Sequence, residues 1–133
     1  MEFMKKTIDE IKRVRRYGLV IDGKTIRGEP TQAEISDAVN KKEVETRGLQ
    51  EHWQGLLEEW KRVPESELPH VLRQYHARRI AFFWLNGWAE DDAIEICVHD
   101  VLEDGAHRFL SAKYKGKTTI NCVVVDCNKC LKN

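Results

Sequence analysis

One stretch, Glu103 to Val125, constrains the fold more than any other part of this 133-residue chain. Gly105 favours a tight turn, because glycine adopts backbone angles that other residues avoid. Apolar residues then recur at helical spacing, and Gly116 is placed to end the helix. Ile120 to Val125 is almost wholly apolar and β-branched, which is typical of a buried strand. The stretch therefore predicts a glycine turn, a short helix and a buried strand.

The start of this helix contains the residues that could bind an anion. Asp104, Gly105 and Ala106 lead directly into His107 and Arg108. The unpaired backbone N–H groups and positive dipole end of a helix start attract anions. Arg108 could clamp a phosphate with two hydrogen bonds, and His107 could donate another or carry a proton. We therefore predict a phosphate-binding site made by Gly105, Ala106, His107 and Arg108.

The same residues, with Ala112, Gly116 and the following strand, resemble the second conserved box of ParB/sulfiredoxin-like domains. That box reads roughly glycine, a variable residue, His or Arg, Arg, then a small-residue helix and a strand. An upstream segment, Ile80 to Gly87 followed by Ile94 to Val98, resembles the family's preceding helix and strand. The resemblance implies an α+β fold, with a small mixed sheet flanked by helices over residues 60–126. Residues 1–59 would add an N-terminal hairpin and a helical embellishment, and residues 127–133 a tail.

The resemblance also implies a function, since relatives bind ATP or CTP through this box. Slow phosphoryl transfer or hydrolysis would then use His107 as a proton donor, with Glu103 or Asp104 holding Mg²⁺. Asp104 could equally serve only to form the turn. Arg78 and Arg79 are assigned to the phosphate site by their position on the main predicted helix, with ordinary surface arginines as the equal alternative. Sulfinic-acid reduction is not expected, because Ala106 stands where sulfiredoxins carry their catalytic cysteine.

Two other functions remain open. Basic segments near both ends of the chain favour a nucleic-acid-binding protein or weak nuclease, whereas the formal net charge of +0 and the lack of an added helix-turn-helix domain disfavour it. The third hypothesis is a non-catalytic protein of a phage or mobile element. Such a protein would bind a host partner through its acid-rich helical embellishment.

The length fits a single domain with a substantial core. No apolar run approaches the roughly 20 residues that a membrane-spanning helix needs. Met1 to Lys6 also lacks the apolar stretch of a signal peptide. We therefore expect a cytoplasmic protein with no membrane contact.

The four cysteines are expected to stay reduced in that compartment. Cys127-x-x-Cys130 together with Cys122 could hold zinc, with His99 or His107 as the fourth ligand. However, Cys97 and Cys122 lie in apolar strands, where cysteine is a common small hydrophobic residue. Zinc is therefore not expected, and no metal ligand is assigned among these residues.

The N-terminal half predicts three local structures. Thr7 to Arg16 is typical of a short amphipathic helix with a solvated basic face, or alternatively of an arm for phosphates. Asp22-Gly23 predicts the turn of a β-hairpin. Thr31 and Glu34 have the spacing of a capping box, which starts a helix.

The middle of the chain predicts two helices and two strands. Leu49 to Trp60 is a helix whose tryptophan stripe packs in the core rather than against bases, and Trp60 to Val63 is a short edge strand. His70 to Leu85 is the main helix, ended by Asn86-Gly87. Ala93 to Asp100 alternates as a strand whose one face carries Ile94, Ile96 and Val98.

Overall fold

The structure is a computed structural model that describes residues 3–14, 17–89 and 91–128. Within these ranges the chain is α+β, with four α-helices, a mixed four-stranded sheet and a two-stranded hairpin. The predicted α+β class is therefore confirmed, whereas the ParB-like arrangement stays a prediction. None of the helices in the described ranges combines the length and the apolar character that crossing a membrane requires.

In chain order the elements are β1 (Met4–Thr7), a 3₁₀ turn (Ile8–Glu10), β2 (Gly18–Ile21), β3 (Lys24–Arg27), α1 (Gln32–Lys41), α2 (Leu49–Lys61), α3 (Leu68–Asn86), β4 (Ile94–Ile96), β5 (Leu102–Asp104), α4 (Ala106–Tyr114) and β6 (Thr119–Val124). They group into two compact units. The sheet unit comprises residues 1–15 and 86–133, and the hairpin unit comprises residues 16–85. The boundaries expected from the family resemblance, at residues 60 and 127, differ from this grouping. The single-domain organisation stays a prediction.

The hairpin unit is built as the sequence predicts around its β-turn. Asp22 and Gly23 both have positive φ, and β2 pairs antiparallel with β3 on either side of them. The tryptophan stripe of α2 is confirmed as core, because Trp60 is buried with its ring edge-on to Tyr75, 5.3 Å between centroids. The predicted edge strand from Trp60 to Val63 is wrong, because helix α2 continues to Lys61. The packing of Trp60 against Tyr75 holds this end of the helix in the core. The buried core of the unit consists of Ile21, Ile26, Leu56, Trp60, Leu68, Leu72 and Tyr75.

The capping box at the start of α1 is confirmed. The Glu34 backbone N–H donates to Thr31 Oγ1 at 3.1 Å, and the Thr31 N–H donates to Glu34 Oε1 at 2.9 Å. Arg73 Nε also donates to the Glu34 carboxylate, at 3.4 Å. Partial burial acts to raise the pKa of Glu34, but these hydrogen bonds outweigh it and hold that pKa below its ordinary value. Glu34 therefore ties the helix start to α3.

Replacing Thr31 with alanine is expected to lower the free energy of unfolding by about 1 kcal/mol, because one helix-start amide loses its acceptor. Urea unfolding followed by tryptophan fluorescence measures the change. Ser36→Ala is the matched control, since Ser36 is exposed in the middle of α1 and alanine is a good helix former. Equal losses in the two variants would contradict the role assigned to the cap.

The sheet unit has the strand order β1-β6-β4-β5. β6 pairs antiparallel with β1 and parallel with β4, and β4 pairs antiparallel with β5. The predicted buried strand is confirmed as β6, where Ile120, Cys122 and Val123 are buried. Helix α4, also predicted, contacts β4.

The predicted helix from Thr7 to Arg16 is wrong. Thr7 instead ends β1, an edge strand that pairs with residues 119–122 of β6. Ile8–Glu10 is a 3₁₀ turn, and Lys12 bridges Val101 in parallel, while Arg15 and Arg16 lie outside the described residues. A short helix has little stability of its own, whereas these pairings satisfy backbone groups on either side of the turn. Tertiary pairing therefore overrides the helical pattern here.

The predicted strand from Ala93 to Asp100 is too long. β4 ends at Ile96, and Val98, expected on the same face as the buried Ile94 and Ile96, is 71% exposed. The Asp100 N–H donates to the Cys97 carbonyl at 3.0 Å, and Asp100 has a φ of 63°. This tight turn reverses the chain into β5, a strand absent from the sequence-based prediction.

Candidate functional site

The start of α4 is shaped by Gly105. This residue is the N-cap, with φ 97° and ψ 30°, and the helix has no side-chain cap among the described residues. A Cβ at this position would lie 2.7 Å from Ile94 Cγ2. Glycine is thus needed both for its backbone angles and for the close approach of the β5–α4 junction to β4. The first-turn amides of α4 lack intrahelical acceptors, as at any helix start.

The guanidinium of Arg108 lies beside this helix start, 3.1 Å from the Cβ position of Gly105. Its Nη1 donates to the carboxylate of Asp92 at 2.8 Å, to the backbone carbonyl of Asp92, and to the carbonyl of Ala93 at 3.4 Å. Its Nη2 lies 3.9 Å from an oxygen of Asp104. The Arg108 side chain is only 12% exposed, whereas that of Asp92 is 62% exposed. The structure therefore brings Arg108 to the predicted site but engages it with acidic and carbonyl partners.

The other predicted residues of this site divide into two groups. His107 and Ala106 lie in the first turn of α4, both half-buried, and Asp104 immediately precedes Gly105 at the end of β5. Glu103 instead accepts a hydrogen bond from the backbone N–H of Asn128 at 3.2 Å. Of the two proposed Mg²⁺ ligands, Asp104 is thus the one that lies close to Arg108.

Arg78 and Arg79 belong to the hairpin unit, where both are engaged. Arg78 pairs with Glu43 at 3.0 Å, and Arg79 donates to the backbone carbonyls of Glu45 and Thr46 at 3.3 and 3.0 Å. These contacts attach the segment between α1 and α2 to α3. The assignment of both arginines to a phosphate site stays a prediction, and either would have to break such contacts to serve it.

Part of the acid-rich segment is also engaged internally. Arg47 binds the carboxylates of Glu45 and Glu59, each at 3.0 Å, and its pKa is raised by those hydrogen bonds. Burial acts to raise the pKa of Glu45, but the hydrogen bonds from Arg47 prevail and lower it. The hydroxyl of Tyr75 donates to the Arg47 carbonyl at 2.7 Å. The predicted contact face for a partner therefore includes acidic groups that stabilise their own unit.

A second cluster lies in the sheet unit and differs from the zinc set considered from the sequence. The ligand atoms of Cys97, His99 and Cys127 all lie within 4.8 Å of one another. Cys122, which is fully buried in β6, is not a member of this cluster, and burial raises the pKa of its thiol. Cys130 lies outside the described residues. The cysteine–x–histidine spacing at the end of β4 was the available signal, and the overlong predicted strand concealed it.

No protein-family model, curated protein or solved structure matches this chain. The resemblance to ParB/sulfiredoxin-like domains stays a prediction. The same holds for the nucleotide, nucleic-acid and partner-binding hypotheses.

Proposed function

We propose that this chain binds a phosphate-bearing ligand at the start of α4, with ATP and CTP as the first candidates. One observation carries the proposal: an arginine guanidinium lies beside a glycine-capped helix start within a single compact unit. Backbone amides and a guanidinium are the donors that proteins commonly use for phosphate oxygens. ATP and CTP come from the family resemblance, which is why both nucleotides belong in the test.

Ligand binding requires the ion pair between Arg108 and Asp92 to break. The Asp92 carboxylate is mostly exposed, so water can solvate it once the ion pair breaks. The Arg108 side chain is only 12% exposed, so its guanidinium needs the phosphate as a new partner. A phosphate brings more negative charge and more acceptor oxygens than one carboxylate, and so competes well for a guanidinium. Asp92 thus acts as the resident counter-ion that the ligand displaces.

The neighbouring residues have defined roles in this proposal. The amides of Ala106 and His107 cradle the phosphate, and the His107 side chain donates to it. Asp104, whose side chain is 42% exposed, holds Mg²⁺ between the protein and the phosphates. Any phosphoryl transfer or hydrolysis would rest on positioning and charge neutralisation at this point.

Arg108→Ala is expected to weaken ATP or CTP binding at least about tenfold, because charge-assisted hydrogen bonds contribute about 1.5–3 kcal/mol. Asp92→Asn is expected to strengthen binding about three- to fivefold by removing the competing charge, a gain of up to about 1 kcal/mol. Titration of labelled ATP and CTP, with and without Mg²⁺, measures both effects. Lys113→Ala is the matched control, since it removes an equal charge from the exposed last turn of the same helix.

Three results would contradict the proposal. These are no binding of either nucleotide at millimolar concentration, unchanged affinity in Arg108→Ala, or weakening in Asp92→Asn. Titration with duplex and single-stranded DNA at two salt concentrations tests the nucleic-acid alternative. A steep loss of DNA affinity with salt, in the absence of nucleotide binding, would favour that alternative.

A further inference from the structure

We infer that Cys97, His99 and Cys127 form a zinc-binding site in the sheet unit. Two sulfur atoms and one imidazole nitrogen converge there within 4.8 Å. Thiolate and imidazole ligands suit zinc, whereas Mg²⁺ and Ca²⁺ require oxygen ligands. The site is independent of the phosphate proposal and uses none of its residues.

The turn that carries the first two ligands is held by contacts outside the cluster. The Cys97 N–H donates to the Val101 carbonyl at 3.0 Å, which closes the turn between β4 and β5. The Lys12 N–H donates to the Asp100 carbonyl at 2.8 Å, and Lys6 Nζ lies 3.0 Å from the Asp100 carboxylate. The backbone of the turn that carries Cys97 and His99 is therefore held by contacts that do not involve Cys127.

Cys127 is likewise positioned from both sides. Before it, the Val125 N–H donates to the Ile96 carbonyl at 2.7 Å, which extends the pairing beside β4. After it, the Asn128 N–H donates to a Glu103 carboxylate oxygen at 3.2 Å. The chain beyond β6 is thus held beside β4 and β5, and this path brings Cys127 to the turn.

The distances are close to those that a zinc ion imposes. His99 Nδ1 lies 3.1 Å from Cys127 Sγ. Tetrahedral zinc, with its usual bond lengths, separates sulfur from nitrogen by about 3.5 Å and two sulfurs by about 3.8 Å. Zinc binding would therefore widen the His99–Cys127 separation by about 0.4 Å and draw any wider pair together by roughly 1.3 Å at most. The His99 backbone N–H also lies 3.4 Å from Cys97 Sγ, a contact that stabilises a thiolate ligand.

Cys97, His99 and Cys127 supply three protein ligands, and a water molecule would complete the tetrahedral coordination of the ion. Zinc would then fasten the segment after β6 to the turn between β4 and β5.

The test uses the full chain, purified under reducing conditions without chelators. We expect one zinc per chain by elemental analysis. We also expect cobalt substitution to give the thiolate charge-transfer and intense visible absorption of a tetrahedral sulfur site. Cys127→Ala and His99→Asn are expected to lower metal affinity at least about tenfold, as loss of a zinc ligand should. Cys122→Ala is the matched control and is expected to keep the full metal content, because Cys122 is not one of the three clustered ligands among the described residues.

Thermal unfolding gives a second readout that needs no assay of activity. Removing zinc with a chelator is expected to lower the melting temperature of the wild type but not that of Cys127→Ala. The inference is overturned if the wild type takes up neither zinc nor cobalt. Full metal content in Cys127→Ala, or loss of metal only in Cys122→Ala, would overturn it as well.

Discussion

Lowering the pH from 6.5 to about 4.5 is expected to reduce the free energy of unfolding of the hairpin unit by about 2 kcal/mol through one group, His76. This side chain is 3% exposed, stacks on Tyr17 at 4.0 Å between ring centroids, and meets Tyr75 edge-on at 5.0 Å. Burial lowers the pKa of His76 from 6.5 to about 3. The imidazole is therefore neutral in the folded chain over a range in which the unfolded chain protonates it.

The sign follows from proton counting. Below pH 6.5 the unfolded state increasingly binds the proton and the folded state does not, so stability falls with a slope that approaches about 1.4 kcal/mol for each pH unit. The loss continues until the pH reaches the folded pKa of about 3, and it fades as the pH rises well above 6.5.

Urea unfolding at a series of pH values, followed by tryptophan fluorescence, measures this slope. His76→Phe keeps a planar ring in the stack and is expected to flatten the slope between pH 6.5 and about 4.5. His70→Asn is the matched control, since His70 is exposed near the start of the same helix. A slope that persists in His76→Phe, or that disappears in His70→Asn, would show that another group is responsible.

Gly105→Ala is expected to destabilise the sheet unit by about 2–4 kcal/mol. A side chain at a φ of 97° is strained, which costs of the order of 1 kcal/mol or more. The added Cβ would also lie 2.7 Å from Ile94 Cγ2 and 3.1 Å from Ile94 Cβ, so the junction before α4 must move away from β4. Such overpacking costs about 1–3 kcal/mol more.

Gly116→Ala separates the two contributions. Gly116 has a similar φ of 87°, but among the described residues no atom lies within 4 Å of its Cβ position. This variant is expected to lose only the backbone share, about 1 kcal/mol. Urea unfolding followed by far-ultraviolet circular dichroism compares the two variants. Equal losses in the free energy of unfolding of the two variants would mean that the contact with Ile94 adds nothing to the cost of Gly105→Ala.

Much of the local structure could be predicted from short sequence patterns. The hairpin at Asp22-Gly23, the capping box at Thr31 and the turn, helix and strand after Gly105 are each specified by residues close together in sequence. The errors at Thr7–Arg16 and Ala93–Asp100 have different causes. In the first segment, Thr7 pairs with Thr119 and Lys12 bridges Val101, both far along the chain. The second segment is ended by a local turn in which Asp100 has a positive φ.

In the candidate sites, too, local patterns could be predicted from the sequence, whereas contacts between distant segments could not. That Arg108 would lie at a helix start followed from its distance to Gly105 in sequence. That Asp92 would hold it could not be predicted, because the contact depends on how the loop before β4 meets α4. Likewise, the meeting of Cys97 and His99 with Cys127 requires β6 to run parallel to β4, a pairing that no local pattern specifies.

The central claim is that the start of α4 binds a phosphate group that takes Arg108 from Asp92. Crystals grown with ATP or CTP and Mg²⁺ test it most directly. We expect electron density for a phosphate within hydrogen-bonding distance of the Ala106 and His107 amides, with the Arg108 guanidinium turned from Asp92 onto it. Nucleotide bound elsewhere, or Arg108 still paired with Asp92 and no anion beside Gly105 at saturating nucleotide, would contradict the claim.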